Sequence, residues 1–154
     1  METITIQIFQ DDVYEEVAKA TDYTGSKLID GDEGARDRIL AADDDLADLS
    51  RFWEESVSAT NENLKEMLVS GMTRLISGKT GYEAVIEVSK SFDKVLTASV
   101  QSTLRSFFIA SIIGQWFKFA NKSEAKDYFT QAADMMETAE RLLYSRRKPT
   151  RPTD

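Results

Sequence analysis

Apolar residues recur along this chain with two different periods, and each period predicts a different backbone. Over residues 3–9 they alternate, which puts Ile4, Ile6 and Ile8 on one face. A period of two is that of a strand with one buried side. The alternation returns over residues 81–88, with Tyr82, Ala84, Ile86 and Val88 on one face and Glu83, Val85 and Glu87 on the other. These two strands are each other's expected partners, since no other segment offers a matching apolar edge. A two-stranded ribbon is not stable alone, so it must lie on helices or be extended by strands of neighbouring subunits.

Elsewhere the period is three to four. Val13, Val17 and Ala20 predict a short helix, opened by a capping box of Asp12 with Glu15 and closed near Thr24 and Gly25. Residues 26–34 read as a loop, punctuated by Gly31 and Gly34. Leu46, Leu49, Trp53, Val57, Thr60, Leu64, Met67 and Gly71 step along one face. They predict a single long helix that starts among residues 36–45 and runs to about Ser77, with a bend at Gly71 and an end at Gly78. In residues 91–116 a stripe of Phe92, Leu96, Val100, Leu104 and Phe107 gives way to a stretch apolar on nearly every side, through Phe108, Ile109, Ile112, Ile113, Trp116 and Phe117. A helix of that kind has to be covered, so this is the expected central helix, ending near Asn121. Leu104, Phe108, Ile112 and Trp116 should pack against Trp53, Leu64 or Leu142. A last helix, capped by Ser123, carries Ala125, Phe129, Ala132, Met135 or Met136, Ala139, Leu142 and Leu143. The fold class that follows is mainly α: a helical bundle of three to four helices with a small two-stranded β element (3–9 with 81–88). It forms one domain over residues 1–145, followed by a basic, extended C-terminal tail over 146–154, where Pro149 and Pro152 bar a helix.

Composition narrows the chemistry. With 154 residues, 42% hydrophobic and 30% charged, the chain suits one folded domain with a real core. It has no cysteine and no histidine, so thiol nucleophiles, thiolate metal sites and the commonest general base are missing. Serines are plentiful, but none has a histidine to activate it, and no phosphate loop, dinucleotide loop or nucleophile elbow is present. The expectation is no enzyme, no cofactor and no metal. A calcium loop at Asp30, Asp32 and Glu33 fails on spacing, because its fifth ligand position is Gly34. The net charge of −8 and pI near 4.7 argue against a nucleic-acid coat. The apolar run is broken by Ser111, Gly114, Gln115 and Lys118 and falls short of the ~18–20 residues of a membrane span. The N-terminus opens with alternation and acids, so no secretory signal is expected.

Four groups of residues are candidates for function. Asp11, Asp12, Glu15 and Glu16, and again Asp43, Asp44, Asp45 and Asp48, could hold Mg²⁺ or act as acid and base. Their place at helix starts reads better as capping and dipole complement, with the second group retained as an acidic interface. Trp53 and Trp116 read as core, while Phe108 and Trp116 are also candidates for an apolar interface. Arg141, Arg146, Arg147, Lys148 and Arg151 fall within eleven residues, whereas residues 30–55 carry ten acids against three bases. Opposite charge at separate ends can join copies head-to-tail; the bland alternative is a solvated C-terminus.

The order of elements, with the segments Asp12-Val13-Tyr14-Glu15-Glu16-Val17-Ala18-Lys19, Asp48-Leu49-Ser50-Arg51-Phe52-Trp53, Gly114-Gln115-Trp116-Phe117 and Arg146-Arg147-Lys148-Pro149, resembles small proteins encoded in phage and prophage structural modules of gut Bacteroidetes. More loosely, the build is similar to helical head–tail connector (neck adaptor) proteins of tailed phages. The resemblance implies a structural virion protein that forms an oligomeric ring, commonly of twelve copies, between portal and tail. Its partners would be portal, tail or other neck proteins, bound through Arg146, Arg147, Lys148 and Arg151. DNA would be only passing cargo, no membrane would be involved, and assembly in the host cytoplasm would leave the protein in the virion neck. The residues themselves also allow a cytoplasmic helical protein-binding or regulatory module.

Overall fold

The computed structural model describes residues 2–28 and 46–146, in which helices cover one face of a three-stranded antiparallel sheet. β1 (Glu2–Phe9) runs directly into α1 (Gln10–Leu28). α2 (Leu46–Asn63) leads into a hairpin of β2 (Leu68–Ile76) and β3 (Lys79–Val88). A 3-10 turn (Lys94–Leu96) then opens α3 (Thr97–Ala120), and α4 (Lys122–Leu143) folds back along α3. The sheet order is β1-β3-β2.

The two alternating segments pair as their pattern predicts: Ile4 lies opposite Ile86, Ile6 opposite Ala84 and Ile8 opposite Tyr82. All six are buried against the helices. The ribbon is nevertheless three strands, not two. The long helix expected through Ser77 stops at Asn63, and Leu68–Ile76 is a strand on the far side of β3. Two local features turn the chain. The Met67 carbonyl accepts a hydrogen bond from Glu87 N–H at 2.7 Å, which takes the backbone out of the helix and into the sheet. Ser77 and Gly78 then adopt positive φ of 51° and 84°, as the two-residue turns that join right-twisted strands require. The three- and four-residue steps at Met67 and Gly71 are coincidental with a strand that carries a bulge between Leu68 and Ser70.

Helix ends differ from expectation in smaller ways. α1 begins at Gln10, so Asp12 sits inside its first turn and does not cap it, and the helix continues past Gly25 to Leu28. Residues 26–28 of the expected loop are therefore helical, and its remainder, with Asp30, Asp32 and Glu33, lies outside the described residues. Asn121, not Ser123, caps α4 by accepting from Glu124 N–H. It does so because its extended backbone breaks α3 and turns the carboxamide toward the new helix. Residues 91–96 precede α3 as a bend and a 3-10 turn capped by Asp93.

The core lies where α2 and α3 meet the sheet. Trp53, Tyr82 and Phe108 are fully buried together, with ring centroids 4.9 Å apart for Trp53–Phe108 and 5.3 Å for Tyr82–Phe108. Leu104, Ile112 and Phe117 are enclosed as well, and Trp116 is half-buried. Within α2 the buried Ser56 and Thr60 hydroxyls donate to carbonyls one turn back, at 3.0 and 2.9 Å, so neither polar group is left unmatched. Residues 94–118 do reach the length and mean hydropathy of a membrane-crossing helix, contrary to the shortfall read from their polar interruptions. Here that helix is the central element of the fold, lying between the sheet, α1, α2 and α4.

Candidate interaction surface

The sheet has two edges, β1 and β2, and the helices beneath treat them differently. Ile76 and Lys79 flank a two-residue turn, so they form a hydrogen-bonded pair. Pairs alternate along an antiparallel ladder, so Gly71, Thr73 and Leu75 turn their N–H and C=O groups away from β3. By the same alternation, Thr3, Thr5 and Gln7 face outward on β1. One carboxamide from the helical layer reaches each edge. Gln101 Oε1 accepts from Gln7 N–H at 2.9 Å on β1, and Asn61 Nδ2 donates to the Gly71 carbonyl at 2.9 Å on β2.

The β2 contact is built from several parts. Tyr82 donates its hydroxyl proton to Asn61 Oδ1 at 2.6 Å, and Trp53 Nε1 donates to Thr73 Oγ1 at 2.9 Å. The Thr73 hydroxyl donates in turn to Glu54 at 3.1 Å. A Cβ at Gly71 would stand 2.3 Å from Asn61 Oδ1 and 2.8 Å from the Tyr82 oxygen, so only glycine admits this approach. Burial pushes the Tyr82 phenol well above its ordinary value, which keeps it a donor. On the open face of the sheet, Glu83 accepts from Gln7 Nε2 at 2.9 Å and from Arg74 Nη1 at 2.7 Å, linking all three strands. The Gln7 hydrogen bond, with Arg74 behind it, holds the Glu83 carboxyl below its ordinary value.

What β2 presents outward is unusual for an edge. Val69, Met72 and Leu75 are 58%, 53% and 68% exposed, and Arg74, already paired with Glu83, is the strand's only charge. Natural edge strands are normally short, charged or covered. β1, by contrast, exposes Thr3 and Thr5 and no large apolar side chain.

A second surface lies where α3 ends and α4 begins. Lys118, Lys122 and Lys126, with Asp134, stand around Ala125, Phe129 and Ala133 over a shallow hollow of about 660 Å³. Among the described residues none of these lysines has an ion-pair partner. Near the N-terminus, Arg105 of α3 clamps Asp12 of α1 through Nε at 2.5 Å and Nη2 at 3.0 Å. That hydrogen bonding lowers the Asp12 carboxyl. The buried Tyr14 hydroxyl has no partner among the described residues. Burial, then the charges of Glu54 and Asp11, push it up to about 12.

The candidate residues from the sequence do not converge. Phe108 is fully enclosed by its own chain and offers no surface to a partner. The all-round apolar stretch that suggested an interface is largely covered by the sheet and the other helices, with Ile109 and Trp116 left half-buried. Asp48 pairs with Arg51 one turn along the same helix, at 3.4 Å, while Asp43, Asp44 and Asp45 lie outside the described residues. Arg146 is docked: it forms an isolated antiparallel bridge with Phe92 and bonds the Ser89 hydroxyl. Arg147, Lys148 and Arg151 lie outside the described residues. Among the described residues no three acids come together as metal ligands would. The pattern reading missed the apolar edge of β2 and the lysine-rimmed hollow. The Ser77-Gly78 pair between two apolar runs was the signal for the former.

No family model, curated protein or solved structure matches this chain.

Proposed function

We propose that this is a structural protein of a tailed-phage neck, an adaptor whose copies assemble into a ring between portal and tail and which works through contacts, not catalysis. The observation that carries the reading is the β2 edge. Val69, Met72 and Leu75 are each more than half exposed, and a well-formed edge left apolar is suited to another protein. The likeness of the segments around Asp12, Trp53, Trp116 and Arg146 to phage structural modules supplies the setting. In that setting the protein resides in the virion, with DNA as passing cargo and no membrane. Arg147, Lys148 and Arg151, beyond the docked Arg146, reach portal or tail, their cationic groups seeking carboxylates.

The lysine-rimmed hollow favours a second reading, a helical protein-binding module that takes an acidic partner. Mass spectrometry of purified virions, with electron microscopy of particles from a phage lacking the gene, separates the two. The adaptor reading expects the protein in virions and filled heads without tails in its absence. Intact virions made without it would overturn that reading.

A further inference from the structure

We infer that copies of this chain join edge to edge, β2 of one against β1 of the next, so that the three-stranded sheet continues from copy to copy. This rests on the reading of the protein as a self-assembling adaptor, and it names the contact.

Three observations point to this pairing. The two edges lie on opposite sides of β3, and both strands run antiparallel to it. They are thus parallel to each other, and a rotated copy can add its β1 beside β2 without inverting the sheet. Each edge turns out hydrogen-bonding groups at alternate residues, Gly71, Thr73 and Leu75 on one and Thr3, Thr5 and Gln7 on the other. Among the described residues only Gly71 and Gln7 are met from beneath by carboxamides, and strand addition satisfies such groups.

Charge supplies the third. Phe9 pairs with Gly81 and Ile76 with Lys79, so Asp11, just beyond Phe9, stands at the end of the sheet that carries Lys79. Both are exposed, and neither has an ion pair among the described residues. In the parallel arrangement Lys79 of one copy approaches Asp11 of the next. A two-fold pairing of β2 with itself would set Lys79 beside Glu66 of the other copy instead of Asp11, and would leave both β1 edges open. The contact is therefore heterologous, and heterologous contacts build rings or filaments.

The absence of cysteine makes the test clean. Thr5 and Ser70 both pair with Val85, from opposite sides. Within one copy β3 therefore holds them two strand spacings apart, about 9.5 Å, beyond the ~7 Å reach of a disulfide. A purified T5C/S70C variant, oxidised at high protein concentration, should give a reducible ladder of dimers and larger multimers. The T5C/M72C variant allows for a two-residue stagger. Neither S70C nor M72C alone should cross-link. Leu75→Lys should weaken self-association at least about tenfold, because it places a charge in the new seam, with the melting temperature unchanged. Cross-linking by S70C or M72C alone would replace this contact with a two-fold one. Two double variants that stay monomeric while folded would overturn it. The virion experiment reads the neck role separately, so either proposal can fail while the other stands.

Discussion

β1 and β2 are both edge strands of one sheet, both paired with β3, yet they stand in opposite relation to the rest of the molecule. β1 alternates strictly and buries Ile4, Ile6 and Ile8. β2 carries a bulge and buries only Ile76 among its nine residues. It is held by its ladder with β3, a hairpin turn and a few hydrogen bonds from α2, and Val69, Met72 and Leu75 face water. A strand whose hydrophobic residues point inward is there for its own chain. One whose hydrophobic residues point outward leaves them open to the contact proposed between copies. The contrast gives substitutions in the two strands different expected consequences.

The largest effect belongs to β1. Ile6→Asp buries an unpaired charge at a fully enclosed site and should cost more than about 4 kcal/mol, enough to unfold the chain. Circular dichroism melting checks it, and a folded Ile6→Asp protein would mean that β1 is not a core strand. Next comes the aromatic centre beneath both strands. Phe108→Ala should cost about 3–5 kcal/mol in denaturant unfolding, against a near-zero effect if Phe108 were an interface residue.

Gly71→Ala sharpens the account of β2. The added methyl collides with Asn61 and Tyr82, so it should cost about 1–3 kcal/mol by displacing a buried hydrogen-bonded pair, while the same change at Gly78 strains only a turn. Smaller again is the clamp between α1 and α3. The Asp12 carboxyl is lowered in the folded protein, so its stabilisation is complete well above its ordinary value near 3.8 and fades as the pH falls toward the folded value. Asp12 is half-exposed, so Asp12→Asn should cost about 0.5–1 kcal/mol at pH 7 and nothing in strong acid. At the bottom of the scale, Tyr14→Phe removes a buried hydroxyl without a partner and should leave stability unchanged or raise it slightly.

The same contrast explains what could be read in the sequence. β1 and β3 were legible because their apolar residues answer to one buried face, and period two follows from that. α3 and α4 were legible because the stripes of Leu104 and Phe108, and of Ala132 and Ala139, answer to a core on one side or all round. β2 was not, because Ile76 is its only buried residue while Val69, Met72 and Leu75 are exposed, so its apolar residues follow no single face. Leu64, Met67 and Gly71 happened to continue the step of α2, and a helix was the natural extrapolation. The third strand is fixed by a turn of two residues and by Asn61, ten residues upstream of the carbonyl it meets. Neither has a periodic signature. Phe108 failed as an interface residue for the opposite reason: the sequence shows that a helix is apolar all round, but not that its own chain suffices to cover it.

Amide hydrogen exchange, followed as a function of protein concentration, tests the central claim most directly, namely that β1 serves the core and β2 another copy. The amides of Met72 and Arg74 face β3 and should be protected at every concentration, while those of Thr73 and Leu75, with Thr3 and Thr5 on β1, should exchange rapidly when dilute. As concentration rises, those four should become protected together, since one seam engages both edges. Protection that never changes with concentration, or that rises at Thr73 and Leu75 while Thr3 and Thr5 remain open, would contradict it.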